Sequence, residues 1–290
     1  MSQAVPSKGA SCEGDQVPSP APSPGSPTGS STVGIGWGSD SASTRIVTLH
    51  WDTHAVTPGD VHLESADDQV VGHFLNYPDA AVAVTVPLGW PLPLVSFLHQ
   101  QSVRVLPPIA PPVPPASVDV GEQFVRPLMR RRCDDMVEAL AHVPAPACVT
   151  EPTLTRALRF QHLLARYCPA HATAPRDGTG LIEVHPEAAL AAWGLPWRHL
   201  RAPGDQGQRA RERTLAGLLD PGWLDLGGVG SAVVRDPATL EALVAALAAR
   251  AVRAGVTVPA AAGPEREMAE REGWTALPSQ PFPGRPWPLP

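Results

Sequence analysis

Three arginines run directly into a cysteine and two aspartates at residues 130–135 (RRRCDD). Guanidinium groups beside carboxylates can form a phosphate-binding edge next to acidic groups. The same string can equally be a charged helix face satisfied by its own ion pairs. Within it, Arg131, Arg132 and Asp134 are the candidates. A second candidate is Glu183 in GLIEVHP. In a strand, Ile182 and Val184 would point to the opposite face. A carboxylate in a strand interior is costly unless it is paired or binds a cation. It also lies near the carboxyl end of its strand, where open α/β sheets place ligands. The plain alternative is an edge-strand glutamate facing water. Glu241 directly follows Leu240 of an apolar helical stripe. It reads either as a carboxylate at the rim of the core-facing side or as a solvated charge near a helix N-terminus. Finally, HWDTH would put His50, Asp52 and His54 on one face of a strand, and two imidazoles with a carboxylate are a legitimate metal set. Thr57-Pro58-Gly59 soon interrupts that strand. There is no GxSxG, no Walker loop and no GxGxxG opening a helix, so nucleophile-elbow and phosphate-loop chemistry find no support.

The elements that must position these residues follow from periodicity and punctuation. Residues 46–50 (IVTLH) read as a strand, with 61–64 and 70–74 as the next two, separated by an Asp67-Asp68 turn. Residues 80–86 (AAVAVTV) form a continuous small-apolar run, as expected of a strand buried on both faces. The second half is helical over 153–167, where Phe160, Leu163, Leu164 and Tyr167 recur at helical spacing. A strand follows over 180–185, then a helix that starts on Pro186 and ends at Gly194. A short helix covers 209–219. The clearest helix is 237–254, with Asp236 as its N-cap, Pro237 in its first turn and Gly255 as its stop. Together these predict an α/β fold with a mixed sheet.

The chain has 290 residues, 43% hydrophobic and 17% charged, with a formal net charge of -6. That composition supports one large core and excludes a strongly basic nucleic-acid coat. Proline is the outlier at 36 residues, and half of it lies in three stretches. Residues 1–43 combine Pro, Ser and Gly and read as disordered, because they cannot bury enough apolar surface to offset ordering entropy. The glycine-rich GIGWG at 34–38 falls inside that stretch. Residues 107–115 (PPIAPPVPP) favour extended geometry and read as an internal loop. The third stretch is 278–290; from 279 on it is a Pro-rich tail, whose Phe282 and Trp287 either drape over the fold or hang free. A single domain over 44–278 is therefore expected. No apolar run of 18 residues and no secretory signal are seen. The four cysteines form no CxxC pair, and a cytoplasmic chain without a membrane span is expected. Lys8 is the only lysine, so phosphate contacts would fall to arginine.

Several segments, taken in order, resemble the family of domain of unknown function 429, described as a predicted nuclease with a ribonuclease H-like fold. The segment 182–196 (IEVHPEAALAAWGLP) is similar to its strand–Pro–helix hallmark, and 81–91 (AVAVTVPLGWP) to its segment ending in Gly-Trp-Pro. RRCD at 131–134 is similar to its Arg-x-Thr-Asp motif, 240–251 to its late helix, and 272–278 to its closing segment. The resemblance implies a ribonuclease H-like mixed sheet flanked by helices, and a carboxylate cluster holding Mg or Mn for phosphodiester hydrolysis. It makes Glu183, Asp134 and Glu241 catalytic and metal-binding, with His50 as a substitute ligand, and Arg131 and Arg132 substrate-binding. Nucleic acid is the implied partner, and the Pro-rich segments could engage a protein partner.

The chain departs from that pattern at the chemistry. The family's aspartate at the end of the first strand aligns with His50, and its aspartate before the Gly-Trp-Pro loop with Thr85. Its motif threonine is Cys133, and the acids of its late helix fall at Pro237, Ala238 and Glu241. The expectation is a nuclease-like fold weakened in catalysis by the acids lost at His50 and Thr85. The alternatives are an active divalent-metal-dependent phosphodiester hydrolase and a non-catalytic partner-binding module.

Overall fold

A computed structural model describes residues 31–76, 80–102, 120–145, 147–172, 174–178 and 180–288. The elements in chain order are β1 (Ser31–Gly36), β2 (Arg45–Trp51), β3 (Val56–His62), α1 (Asp67–Asn76), β4 (Ala81–Val84), α2 (Leu92–Ser102), α3 (Val120–Met129) and α4 (Arg132–Ala141). They continue with α5 (Thr153–Tyr167), α6 (Pro169–Ala172), β5 (Ile182–Glu183), α7 (Pro186–Ala192), α8 (Gly204–Leu219), α9 (Val229–Arg235), α10 (Pro237–Arg253) and α11 (Pro264–Glu272). The five strands form one mixed sheet in the order β3-β2-β1-β4-β5. β1 pairs antiparallel with β2 and parallel with β4, and β4 pairs parallel with β5. The fold is α/β, as expected.

Alternation along the strands sorts side chains between two cores. Val33, Ile35, Val82 and Val84 face a layer built on Phe160, Leu163 and Leu164 of α5. Val47, Leu49, Trp51, Ala81 and Ala83 face the α10 side. β4 is buried along its whole length, as its unbroken apolar run predicts.

The central strand corrects the sequence reading. β1 lies inside the stretch 1–43 that composition assigned to disorder, and its last five residues are buried. Its glycines let α10 lie directly on the sheet. A Cβ at Gly34 would sit 1.9 Å from Ala242 O, and one at Gly36 would sit 2.4 Å from Ala238 O. α10 is consequently buried without a break from Thr239 to Ala251. Its Asp236 cap accepts from Thr239 N–H at 3.1 Å, as its sequence predicts.

A second correction concerns residues 70–74, read as a strand, which belong to α1. The Asp67-Asp68 pair, taken for a turn, is that helix's acidic first turn, where the helix dipole favours negative charge. The third strand is Val56–His62 rather than 61–64. The helix expected over 209–219 starts earlier, at Gly204.

The C-terminal tail is part of the core. Phe282 stacks on Trp223 with ring centroids 5.3 Å apart, and Trp287 packs against Trp51, Trp193 and Trp223. Trp223 Nε1–H donates to Pro283 O at 2.9 Å. The expected loop 107–115 and residues 1–30 and 289–290 lie outside the described residues. Among those described, no helix is long and apolar enough to cross a membrane.

Candidate functional site

Parallel pairing brings the carboxyl ends of β1, β4 and β5 to one edge of the sheet. A cleft of about 470 Å³ opens there, and Asp134, Glu183 and Glu241 all line it, together with Arg131, Arg156 and Arg201. The three predicted carboxylates therefore share a cleft. Each, however, is bonded to a guanidinium.

Arg131 is the hub. It stands at the N-cap of α4 and is 3% exposed. Its Nη1 donates to Glu183 Oε2 and its Nη2 to Glu183 Oε1, both at 2.7 Å. Nη2 also donates to Asp134 Oδ1 at 2.8 Å, and the Arg131 backbone N–H donates to Asp134 Oδ2 at 2.8 Å. Glu183 accepts two further bonds, from Leu88 N–H and Thr275 Oγ1, each at 2.8 Å. Burial disfavours the Arg131 charge, but Cys133, Glu183 and Asp134 close around it and hold its pKa well above the ordinary arginine value. Two-toothed pairs of this kind fix geometry as well as charge.

Glu241 is held separately. Arg201 donates to Oε1 from Nε at 2.6 Å and to Oε2 from Nη2 at 2.7 Å. Burial pushes the Glu241 carboxyl up, and the Arg201 charge pulls it back. His185, at the N-cap of α7, accepts the Ala188 N–H on Nδ1 at 3.1 Å. Its proton is then on Nε2, and burial pushes its pKa down to about 4.

Two predicted site residues lie elsewhere. His50 is opposite Ser31 in the β1–β2 ladder, whereas Gly36 is opposite Arg45. Because β2 runs antiparallel, His50 is at the far edge of the sheet from Glu183, where its Nδ1 bonds to Ser31 Oγ at 2.9 Å. His50 is thus not a ligand partner of Glu183. Arg132 is exposed and reaches Glu265 Oε1 at 3.3 Å, outside the cleft lining. Sequence reasoning missed Arg156 and Arg201, which stand in no recognisable motif, and Thr275, although it lies in the closing segment 272–278; only the meeting of α5, α10 and the segments around them makes them neighbours.

The Mg or Mn implied by the resemblance does not fit these residues. A divalent ion needs carboxylate oxygens turned toward a shared point. Here the oxygens are turned toward Arg131, Arg201, Leu88 and Thr275. Among the described residues, the three-ligand set that closes to within 4.8 Å lies elsewhere, at Asp60, His62 and His73.

The sequence matches the family described as protein of unknown function (DUF429) over residues 38–266. The chain belongs to this family. No curated protein and no solved structure matches it. The DUF429 match begins just after β1, so the strand that ends at Gly36 precedes it. That strand is the first of the sheet, and its end carries Gly36 and Trp37, not His50. At the end of β4, Thr85 Oγ1 accepts the Trp37 N–H at 3.1 Å. In this DUF429 chain the ends of β1 and β4 are thus joined by a neutral hydrogen bond, and His50, where the resemblance implied the first acid, is at the other end of the ladder.

Proposed function

We propose that this chain is a ribonuclease H-like member of its family in which metal-dependent phosphodiester hydrolysis has been lost while the cleft persists as a binding site. One observation carries the reading. The ends of β1 and β4 carry Gly36 and Thr85, neither of them an acid, and the three carboxylates that the resemblance implies, Asp134, Glu183 and Glu241, each bond a guanidinium. The sheet order β3-β2-β1-β4-β5, with three antiparallel strands followed by two parallel ones, supports the ribonuclease H-like assignment.

The test is a cleavage assay on the full chain with magnesium and then manganese, using single-stranded DNA, RNA and an RNA–DNA hybrid. No metal-dependent cleavage is expected. Cleavage that requires the metal and disappears in a folded Glu241→Gln variant overturns the proposal.

Arg156 favours the binding role. Its guanidinium lines the cleft, its Nε is buried, and no bonded partner meets that nitrogen among the described residues. Burial and the neighbouring Arg201 lower its pKa, with Glu241 opposing. Arg156 is half-buried, and a partly desolvated guanidinium with an unbonded nitrogen gains a charge-assisted hydrogen bond when an anion meets it. The ligand class is accordingly anionic, and the phosphate of a nucleic acid is the form the family resemblance suggests. A labelled RNA or DNA strand should bind the natural protein about tenfold more tightly than Arg156→Gln, the loss of one charge-assisted hydrogen bond. Equal affinity removes Arg156 from the site. The tail that holds Phe282 and Trp287 is packed into the core, so protein docking through polyproline would fall to residues 1–30 or 107–115.

A further inference from the structure

The opposite edge of the sheet carries a different chemistry. β3 is the edge strand there, and Asp60 and His62 alternate with Val61 along it. Val61 packs toward the α10 core, so Asp60 and His62 turn to the other face. α1 covers that face, with Val70 in the second core, and it brings His73 over the strand. The His62 and His73 rings are 5.2 Å apart and perpendicular at 89°. One ligand atom from each of Asp60, His62 and His73 lies within 4.8 Å of the other two.

We propose that Asp60, His62 and His73 bind one divalent transition ion of the zinc class. The donor set is two imidazole nitrogens and one carboxylate oxygen, which suits zinc, cobalt or nickel and disfavours magnesium and calcium. Three protein ligands leave a fourth tetrahedral position for water. His73 is already oriented for the role: its Nδ1 lies 3.0 Å from Gln69 O one helical turn earlier. A nitrogen at that distance from a carbonyl carries the proton, so the lone pair is on Nε2. A backbone carbonyl on the second nitrogen is the usual support of a metal-ligating histidine. The ion would tie the edge strand to the helix above it. The site is at the far edge of the sheet from β5, so it stands or falls independently of the cleft.

The test uses the full chain after chelator treatment and dialysis. Titration with zinc against a chromophoric chelator should give one ion per chain, zinc should raise the melting temperature, and cobalt should give the visible spectrum of a tetrahedral site. His62→Ala and Asp60→Asn change residues at or near the surface, and each should weaken zinc binding about tenfold or more and abolish the cobalt spectrum. A His54→Ala variant, altering an exposed histidine outside the set, should leave all three readings unchanged. Absence of zinc binding at micromolar concentration by the natural protein overturns the proposal. So does binding that survives both His62→Ala and Asp60→Asn, because the ion would then belong to other histidines.

Discussion

Arg131 and Glu183, 52 residues apart in the chain, meet in a two-toothed ion pair with both contacts at 2.7 Å. Both side chains are nearly sealed from water, at 3% and 4% exposure. The pair joins α4 to the carboxyl end of β5, and Asp134 shares the same guanidinium. Removing one partner from a buried pair strands the other charge, and that costs about 3–5 kcal/mol. Glu183→Gln should lose stability on that scale. Arg131→Met should lose more, because it leaves two carboxylates unpaired. Urea unfolding of both variants measures this. A loss below about 1 kcal/mol, the worth of an exposed pair, would show that the cluster does not hold the sheet edge together.

Gly36 makes a second prediction. Its missing side chain is where the α10 backbone passes, with Ala238 O 2.4 Å from a notional Cβ. Gly36→Ala should lift the helix from the strand and lose about 1–3 kcal/mol, the usual cost of overpacking. Gly228→Ala is the control, since nothing lies within 4 Å of a Cβ there and its φ of -67° suits any residue. For the same steric reason, Gly36→Asp should not recover metal-dependent cleavage. Denaturation midpoints of the two alanine variants, and a cleavage assay on Gly36→Asp, decide the matter.

His185 predicts a pH dependence. Burial pushes its pKa down from 6.5 to about 4, against the pull of Glu183 and Asp134. As pH falls through 6.5 the unfolded chain takes up a proton that the folded chain refuses until about 4. The unfolded state binds more protons in that window, so stability rises with pH across it and is level above it. The contribution is at most about 3 kcal/mol. His185→Asn keeps an N-cap acceptor for Ala188 N–H and removes the titration. Its urea midpoint should fall less than that of the natural protein between pH 7 and pH 5. An unchanged slope would assign the acid sensitivity to other groups.

The parts of the fold legible in sequence are those with local causes. α5 spans Thr153–Tyr167, as its apolar spacing predicts, and α10 starts on Pro237 behind the Asp236 cap. Both signals act within one or two helical turns, so neighbouring residues contain them entirely. β1 was illegible for the opposite reason. Its glycines look like linker composition until α10, more than 200 residues later, is laid on them.

The three consecutive arginines divide in the same way. Arg130 pairs with Asp135 at 3.0 Å and with Glu138, the local charged-helix reading. Arg131 turns inward to Glu183, and Arg132 turns outward to Glu265. Arg130 and Arg131 lie in the link between α3 and α4, Arg131 as an extended N-cap, and Arg132 opens the helix, so three adjacent identical side chains leave the backbone in different directions and meet different surroundings. Likewise the eye-catching trio of HWDTH does not converge, because His50 bonds to Ser31 across the ladder while Asp52 caps the following turn through Thr53 N–H. The trio that does converge, Asp60, His62 and His73, comes from a strand and a helix.

The amino-acid order alone determined the family, the helical second half, the buried β4, and the acids Asp134, Glu183 and Glu241 that reach one cleft. Only the tertiary structure decided what those acids do. A carboxylate becomes a metal ligand, an ion-pair partner or a cap according to which group faces its oxygens. Here those groups are Arg131 for Glu183 and Asp134, and Arg201 for Glu241, set 52, 3 and 40 residues away in the chain. Strand direction decided the rest: antiparallel pairing carried His50 to the far edge of the sheet, while parallel pairing brought the ends of β1, β4 and β5 together.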